Sequence, residues 1–186
     1  MSQEDIEMFG KVGLTFSEKR SKFTWEGLGN LREGRSALGT DMPLIVYRLF
    51  QYTLKDVLSR EFSEECADEL YRAAGHLAGM EFAKNVLDLS GDLDFFVANL
   101  QRALVELKMG FLRIERADLE TFSFTLTVAE DLDCSGLPVT DETVCDYSEG
   151  FIAGIFEAYT GKEFDVREVD CWAHGDRICR FTVNLA

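Results

Sequence analysis

The chain has 186 residues, 46% of them apolar, with 34 acidic against 19 basic side chains and a formal net charge of −15. The apolar share excludes a disordered chain, and the length suits one domain with a short N-terminal appendage. No apolar run approaches the ~20 residues that a bilayer span requires. The charge opposes nucleic acid and anionic membrane surfaces, which both need Lys/Arg counter-charges, so neither is an expected partner. The acidic opening Met1-Ser-Gln-Glu-Asp5 lacks the apolar core of a secretory signal, and a cytoplasmic location is expected.

Residues 1–42 carry little periodicity and read as a largely irregular extension. Within them Gly27-Leu-Gly29-Asn-Leu-Arg32 lacks the third glycine of a dinucleotide fingerprint, and no apolar strand precedes it. Pro43, with Asp41 nearby, marks a helix start, and Val46, Leu49, Phe50 and Val57 repeat at helical spacing to about residue 60. Ser63 caps a second helix with Cys66, Leu70, Ala73, Ala74, Leu77 and Ala78 on one face. Its middle, Ala73 to Gly79, is rich in small residues, which suggests close approach of another backbone or a bound group, since glycine costs about 1 kcal/mol in a helix interior. A third helix carries the stripe Leu93, Phe96, Val97, Leu100, Leu104 and Leu107.

The period then changes. Phe122, Phe124, Leu126 and Val128 alternate with polar residues as in a half-buried antiparallel strand, and Phe111 to Glu115 is its expected partner. Cys134-Ser-Gly-Leu-Pro138 breaks the pattern. A fourth helix is expected from Thr140 or Asp141, with Val144, Phe151, Ile152, Ile155, Phe156 and Tyr159 on its apolar face and Gly161 as its stop. Two strands, about 163–172 and 177–185, flank the turn Ala173-His-Gly-Asp176. The expected fold is α+β, an antiparallel sheet packed against helices.

Four of the five cysteines, Cys134, Cys145, Cys171 and Cys179, fall between residues 134 and 179. In a hairpin centred on Gly175, Cys171 and Cys179 stand opposite each other, on a face expected to carry Val169, Phe181 and Val183 as well. Phe164 and Val166 have the opposite parity, so a bulge near residues 167–169 is expected, and it lets Glu168 and Cys171 turn toward one point. Cys145, near the start of the fourth helix, favours its thiolate. Cys145, Glu168, Cys171 and Cys179 thus form a candidate tetrahedral zinc set of structural type. A Cys171–Cys179 disulfide and inert buried thiols are the alternatives.

Residues 134–183, with Cys134, Gly136-Leu-Pro138, Thr143-Val-Cys145, Glu149-Gly-Phe151, Gly154, Glu168, Cys171, Gly175-Asp176 and Cys179, resemble the 4-vinyl reductase domain family. The Gly39-to-Phe82 helical pair resembles the N-terminal half of the same domain. The resemblance implies an N-terminal extension over 1–33 and a domain over 34–186. It implies the fold shared by haem NO-binding sensors, Golgi trafficking (TRAPP) subunits and the sensory domain of phenol- and xylene-responsive activators. It also implies Zn(2+) on three cysteines and a glutamate, which fall here on Cys145, Glu168, Cys171 and Cys179. In those sensors an aromatic effector is gripped by a Trp and a His, and Phe124 and Phe96 stand near those positions, so the expected pocket is apolar. Its expected walls are Phe96, Phe111, Phe122, Phe124, Ile155 and Trp172.

Two histidines complete the inventory. His76 lies on the small-residue helix, but the Tyr-x-Ser-x-Arg motif that grips haem in NO sensors does not occur in the chain. His174, in the hairpin turn, is an alternative fourth ligand to Glu168. The favoured reading is a non-enzymatic sensor or regulatory domain for a small apolar or aromatic molecule, acting through a partner or as a homodimer paired over residues 43–60. Reduction of a vinyl group on a tetrapyrrole precursor is one alternative, although no nicotinamide or flavin fingerprint is present. A ligand-free assembly factor is the other.

Overall fold

The protein is described by a computed structural model over residues 23–186; residues 1–22, most of the expected 1–33 extension, lie outside the described residues. The chain divides into two compact units, one ending at Ala67 and one from Asp68 to Ala186.

The first unit contains helical turns at Trp25–Leu28 and Leu31–Gly34, where an irregular segment was expected. Asn30 caps the second turn by accepting from the Glu33 amide at 3.2 Å. Helix α1, Leu44–Glu61, begins directly after Pro43, whose fixed φ and missing N–H suit a helix entrance. Its apolar residues Ile45, Leu49, Phe50 and Val57 are exposed. Helix α2, Glu64–Val86, opens at Ser63, whose Oγ accepts from the Cys66 amide at 3.1 Å. The boundary between the units falls in its first turn.

The second unit holds the rest of α2, then α3 (Leu93–Glu106), β1 (Phe111–Asp118), β2 (Ser123–Ala129), α4 (Asp146–Thr160), β3 (Phe164–Asp170) and β4 (Cys179–Leu185). The four strands form one antiparallel sheet in the order β1-β2-β4-β3. Asp92 caps α3 by accepting from the Phe95 amide at 3.0 Å, and α4 ends at Gly161, in the left-handed conformation with φ 70°. Helix α4 packs on β3, and α3 on β1. Between them an aromatic core forms. Phe96 stacks on Tyr159 at 4.0 Å, and Phe156 meets Phe124 at 4.9 Å and Phe164 at 5.6 Å.

The small-residue stretch of α2 has a backbone as its neighbour. A Cβ at Gly75 or Gly79 would overlap the carbonyl oxygen of Tyr147 or Phe151, and one at Gly150 or Gly154 of α4 would overlap that of Arg72 or His76. Two Gly-x3-Gly stripes, one on each helix, therefore let α2 and α4 touch backbone to backbone. This crossing fixes α4, and with it the N-terminus that carries Cys145.

Three local expectations are corrected. The fourth helix starts at Asp146, not at Thr140 or Asp141, because the Thr140 amide is drawn to the Ala173 carbonyl at 2.8 Å and Asp141 takes a positive φ of 61°. Phe122 precedes β2 in a turn at φ 52° and packs at the core margin, with the Lys162 ammonium 5.0 Å from its ring centre. Val169 is exposed, because it is itself the residue that bulges out of β3.

Candidate metal centre

The site is a product of strand parity. Along β3, Phe164, Val166 and Glu168 are buried and alternate with exposed residues. In the ladder Glu168 pairs with Phe181 but Asp170 pairs with Arg180, so Val169 is an extra residue without a partner. The bulge resets the alternation, and Cys171 turns to the buried side three residues after Glu168 instead of two or four. Residues 171–176 then form a tight turn in which Asp176 and His174 both donate their amides to the Cys171 carbonyl, at 3.0 and 3.1 Å, and Gly175 takes φ 110°. The chain returns with Cys179 as the first residue of β4, and Cys145 is the N-cap of α4.

Five donors meet here. The Sγ atoms of Cys134, Cys145, Cys171 and Cys179 and a carboxylate oxygen of Glu168 all lie within 4.8 Å of one another, and all five residues are buried. The Cys134 and Cys179 sulfurs are 3.0 Å apart, and Cys145 lies 4.0 Å from both Cys171 and Cys179. All five cysteines of the chain, Cys66 included, are free, so the expected alternative of a Cys171–Cys179 disulfide is not formed. Cys145, Glu168, Cys171 and Cys179, the four residues named from the sequence, are brought together. Cys134, whose role was left open, joins them. His174 instead points to Asp176 at 3.5 Å in the exposed turn.

The electrostatics of the cluster are those of a cation site. Asp131, Asp133, Asp146, Glu149 and Glu168 are all buried. Arg72 bonds Asp146 at 2.5 Å and Glu149 at 2.6 Å, which leaves Asp131, Asp133 and Glu168 on the side of the sulfurs. Burial, and then the Cys171 charge, push the Glu168 carboxyl up to about 8, and burial with the neighbouring Asp133 pushes Asp131 up to about 7. Hydrogen bonds from the Cys134, Cys145 and Cys179 thiols hold Cys171 far down, as a thiolate, and the thiols of Cys145 and Cys179 are pushed up in return. One Glu168 oxygen accepts from the Cys145 amide at 3.2 Å, while the other, Oε1, is buried with no hydrogen-bond partner. A closed group of soft sulfurs, an orphaned carboxylate oxygen and uncompensated buried acids fit a divalent ion of zinc type.

The backbone around the donors is held by further carboxylates. Asp131 Oδ1 accepts from the Asp133 and Cys134 amides at 2.8 and 3.3 Å, and so shapes the loop that aims Cys134 inward. Asp176 Oδ2 accepts from the Cys171 amide at 3.3 Å. Glu149 joins α4 to β3 through the Glu168 amide at 2.7 Å. The sequence signal for these contacts was Asp-x-Asp-Cys, ending at Cys134, and the Asp five residues after Cys171. Both are ordinary turn chemistry until the fold shows where they point.

The expected ligand walls divide into separate places. Phe96, Phe124 and Ile155 lie together in the buried core. Phe111 is on the outer face of β1, beside a surface hollow of about 360 Å³ lined with Arg113, Ala129 and Ile178. Trp172 is in the hairpin turn, donating Nε1–H to the Leu137 carbonyl at 3.1 Å. His76 Nε2 meets Glu157 Oε2 at 2.7 Å, in an ion-pair geometry at the protein surface.

A four-stranded antiparallel sheet covered by helices, with its final hairpin tied to a helix N-terminus by a thiol cluster, is the fold class expected from the sequence. Its whole length superposes on the phenol-responsive sensory domain of the transcription activator PoxR in complex with phenol, with TM-score 0.65, 15% identity and coverage of 100% of this chain and 92% of that one. It also superposes on a trafficking protein particle complex subunit 3 of Naegleria fowleri covalently bound to palmitic acid, with TM-score 0.62, 10% identity and coverage of 77% and 95%. At these identities the likeness is one of fold. Residues 124–185, which carry α4, nearly all of β2, β3 and β4, the four cluster cysteines and Glu168, match the 4-vinyl reductase domain, the family that the motifs resemble. An uncharacterized protein of Methanocaldococcus jannaschii, MJ1642, is 31% identical over 99 residues, a match that spans 53% of this chain and 59% of that protein.

Proposed function

We propose that this chain is a zinc-stabilised sensor or regulatory domain that binds a small apolar or aromatic molecule without catalysing a reaction on it. The observation that carries the reading is the buried five-donor cluster. Residues from the 131–137 loop, the α4 N-terminus and the terminal hairpin converge there, as in a closed structural site with no place for water. Zinc supplies folding energy at such a site, about 10 kcal/mol or more in small zinc-dependent folds. The resemblance assigns Cys145, Glu168, Cys171 and Cys179 to the ion.

The fold shared with a phenol-binding sensory domain and with a palmitoylated trafficking subunit supports a role in holding an apolar molecule. Phe96, Phe124 and Ile155, between α3, α4 and the sheet, are the walls we propose for it, with Phe122 at their margin. The exposed apolar residues of α1 support a homodimer paired over residues 43–60, and the domain proposed for the ligand and metal runs over 34–186. Five free thiols suit a reducing, cytoplasmic setting. No helix among the described residues is long and apolar enough to cross a membrane.

The test is thermal denaturation of the zinc-loaded chain with phenol, alkylbenzenes and long-chain fatty acids. The reading expects a concentration-dependent rise in Tm with one of these classes, by the amount that binding to the native state alone produces, and loss of that rise in Phe96→Ala. No rise with any class, up to the solubility limit of each, would refute ligand sensing and favour the assembly role.

A further inference from the structure

The reading above inherits its ligand set from family likeness, while the structure brings five donors to an ion that takes four. We propose that Cys134 is a direct sulfur ligand, so that the ion is held by Cys134, Cys145, Cys171 and Cys179, and that Glu168 is a positioning residue acting through the Cys145 backbone. This assignment rests on the metal reading of the cluster and changes which residue completes it.

Three observations support the exchange. The first is position. Cys134 is fully buried, and its sulfur makes a 3.0 Å approach to Cys179, against 4.0 Å for Cys145 to Cys171 and to Cys179. Zinc–sulfur bonds near 2.3 Å in a tetrahedron place the sulfurs about 3.8 Å apart, a separation that these contacts bracket.

The second is a repeated local device. Three of the four cysteines have their backbone N–H held by a carboxylate: Cys134 by Asp131, Cys145 by Glu168 and Cys171 by Asp176. Each clamp fixes the φ/ψ of the residue that carries the sulfur, and so its aim. Glu168 does for Cys145 what Asp131 and Asp176 do for the other two, and those two acids lie outside the donor cluster. A carboxylate oxygen already accepting an amide at 3.2 Å is a poorer ligand than a buried thiolate that faces the same point.

The third is chemical preference. Zinc is a borderline-soft ion, and in a water-excluded site a thiolate gives it more charge than a carboxylate whose second oxygen must remain solvated or paired. Glu168 and Asp133 are buried near the cluster, and Glu149 is hydrogen-bonded to the Glu168 amide. Adding Glu168 to the coordination shell would bring a further anion into this surrounding without removing Cys134 from it.

The test is cobalt(II) loading of the full chain. The near-ultraviolet sulfur-to-cobalt absorption scales with the number of Co–S bonds, and zinc-edge X-ray absorption of the unmutated protein gives a count that needs no variant. The assignment expects four sulfur neighbours at about 2.3 Å. It expects the cobalt–sulfur band of Cys134→Ser to fall by about one bond in four. Glu168→Gln, which keeps an oxygen to accept the Cys145 amide, should leave band shape and intensity unchanged. Three sulfurs with one oxygen neighbour, or an unchanged Cys134→Ser spectrum beside an altered Glu168→Gln spectrum, would overturn it while leaving the metal centre standing. A chain that takes up neither ion would overturn both.

Discussion

Gly150→Ala distinguishes helix propensity from tertiary contact in one substitution. Gly150 lies inside α4, where replacing glycine by alanine ordinarily stabilises a helix by about 1 kcal/mol. Here the new Cβ would overlap the Arg72 carbonyl oxygen and stand 2.8 Å from the His76 amide nitrogen, both backbone atoms of α2 that no side-chain rotation can move. The two helices must separate along a contact made by four glycines, and overpacking of that kind costs about 1–3 kcal/mol or more. With backbone on both sides the upper end applies, so the net expectation after the propensity gain is a loss of about 2 kcal/mol. For a chain of this size that lowers Tm by about 4–8 °C. The control is Gly34→Ala, at a helical position with open space around it, expected within about 0.5 kcal/mol of wild type. Urea denaturation and thermal melting read both. A Gly150→Ala protein that melts at or above wild type would refute the backbone-to-backbone packing of α2 on α4.

Other consequences follow from the same geometry. Cys171→Ser removes the sulfur held as a thiolate by its neighbours, so it should abolish zinc retention through gel filtration and lower Tm by more than about 10 °C, a loss of about 3 kcal/mol or more. Arg72→Ala leaves Asp146 and Glu149 buried without their cation and should cost about 3 kcal/mol, with partial recovery in the Arg72→Ala/Glu149→Gln double variant, measured by urea midpoint. For the metal-free protein, Glu168 and Asp131 have folded-state pKa values raised to about 8 and about 7, above ordinary carboxyl values. The unfolded chain therefore ionises first, and these groups withdraw stability progressively as pH rises from about 4.5 to 8. The apo protein should be less stable at about pH 8 than at about pH 5 by a few kcal/mol, a trend that zinc loading removes; rising apo stability over that interval would contradict the burial of these acids. Phe96→Ala, at the centre of the aromatic core, should cost about 3–5 kcal/mol, read by the same urea midpoint.

What could be read from residues alone followed how local the determining physics is. The helices of residues 44–61, 64–86 and 93–106 came from apolar spacing, helped by Pro43 and Ser63, because caps and periodicity act within a few residues. The bulge at Val169 was forced by parity, since Phe164 and Cys171 cannot share a face without an extra residue. The small residues of α2 signalled a close neighbour but not its identity, which depends on a matching stripe far along the chain in α4. The start of α4 was misplaced because Thr140 answers to Ala173, a tertiary hydrogen bond that no window around Thr140 contains. Cys134 illustrates the same limit: its aim is set by Asp131 and its company by β4. The aromatic walls were grouped by residue type, whereas strand parity sends Phe111 to the outer face and leaves Phe124 inside with Phe96.

The direct measurement of the central claim is metal content by inductively coupled plasma mass spectrometry of the full chain purified without added metal. It should be paired with a thiol count under native conditions before and after chelation. The account predicts one zinc per chain and a single reactive thiol, Cys66, before chelation, with the four cluster thiols released together as the metal leaves. A protein with no bound transition metal, whose buried cysteines react no faster after chelator than before, would show that the five donors gather without an ion and would contradict it.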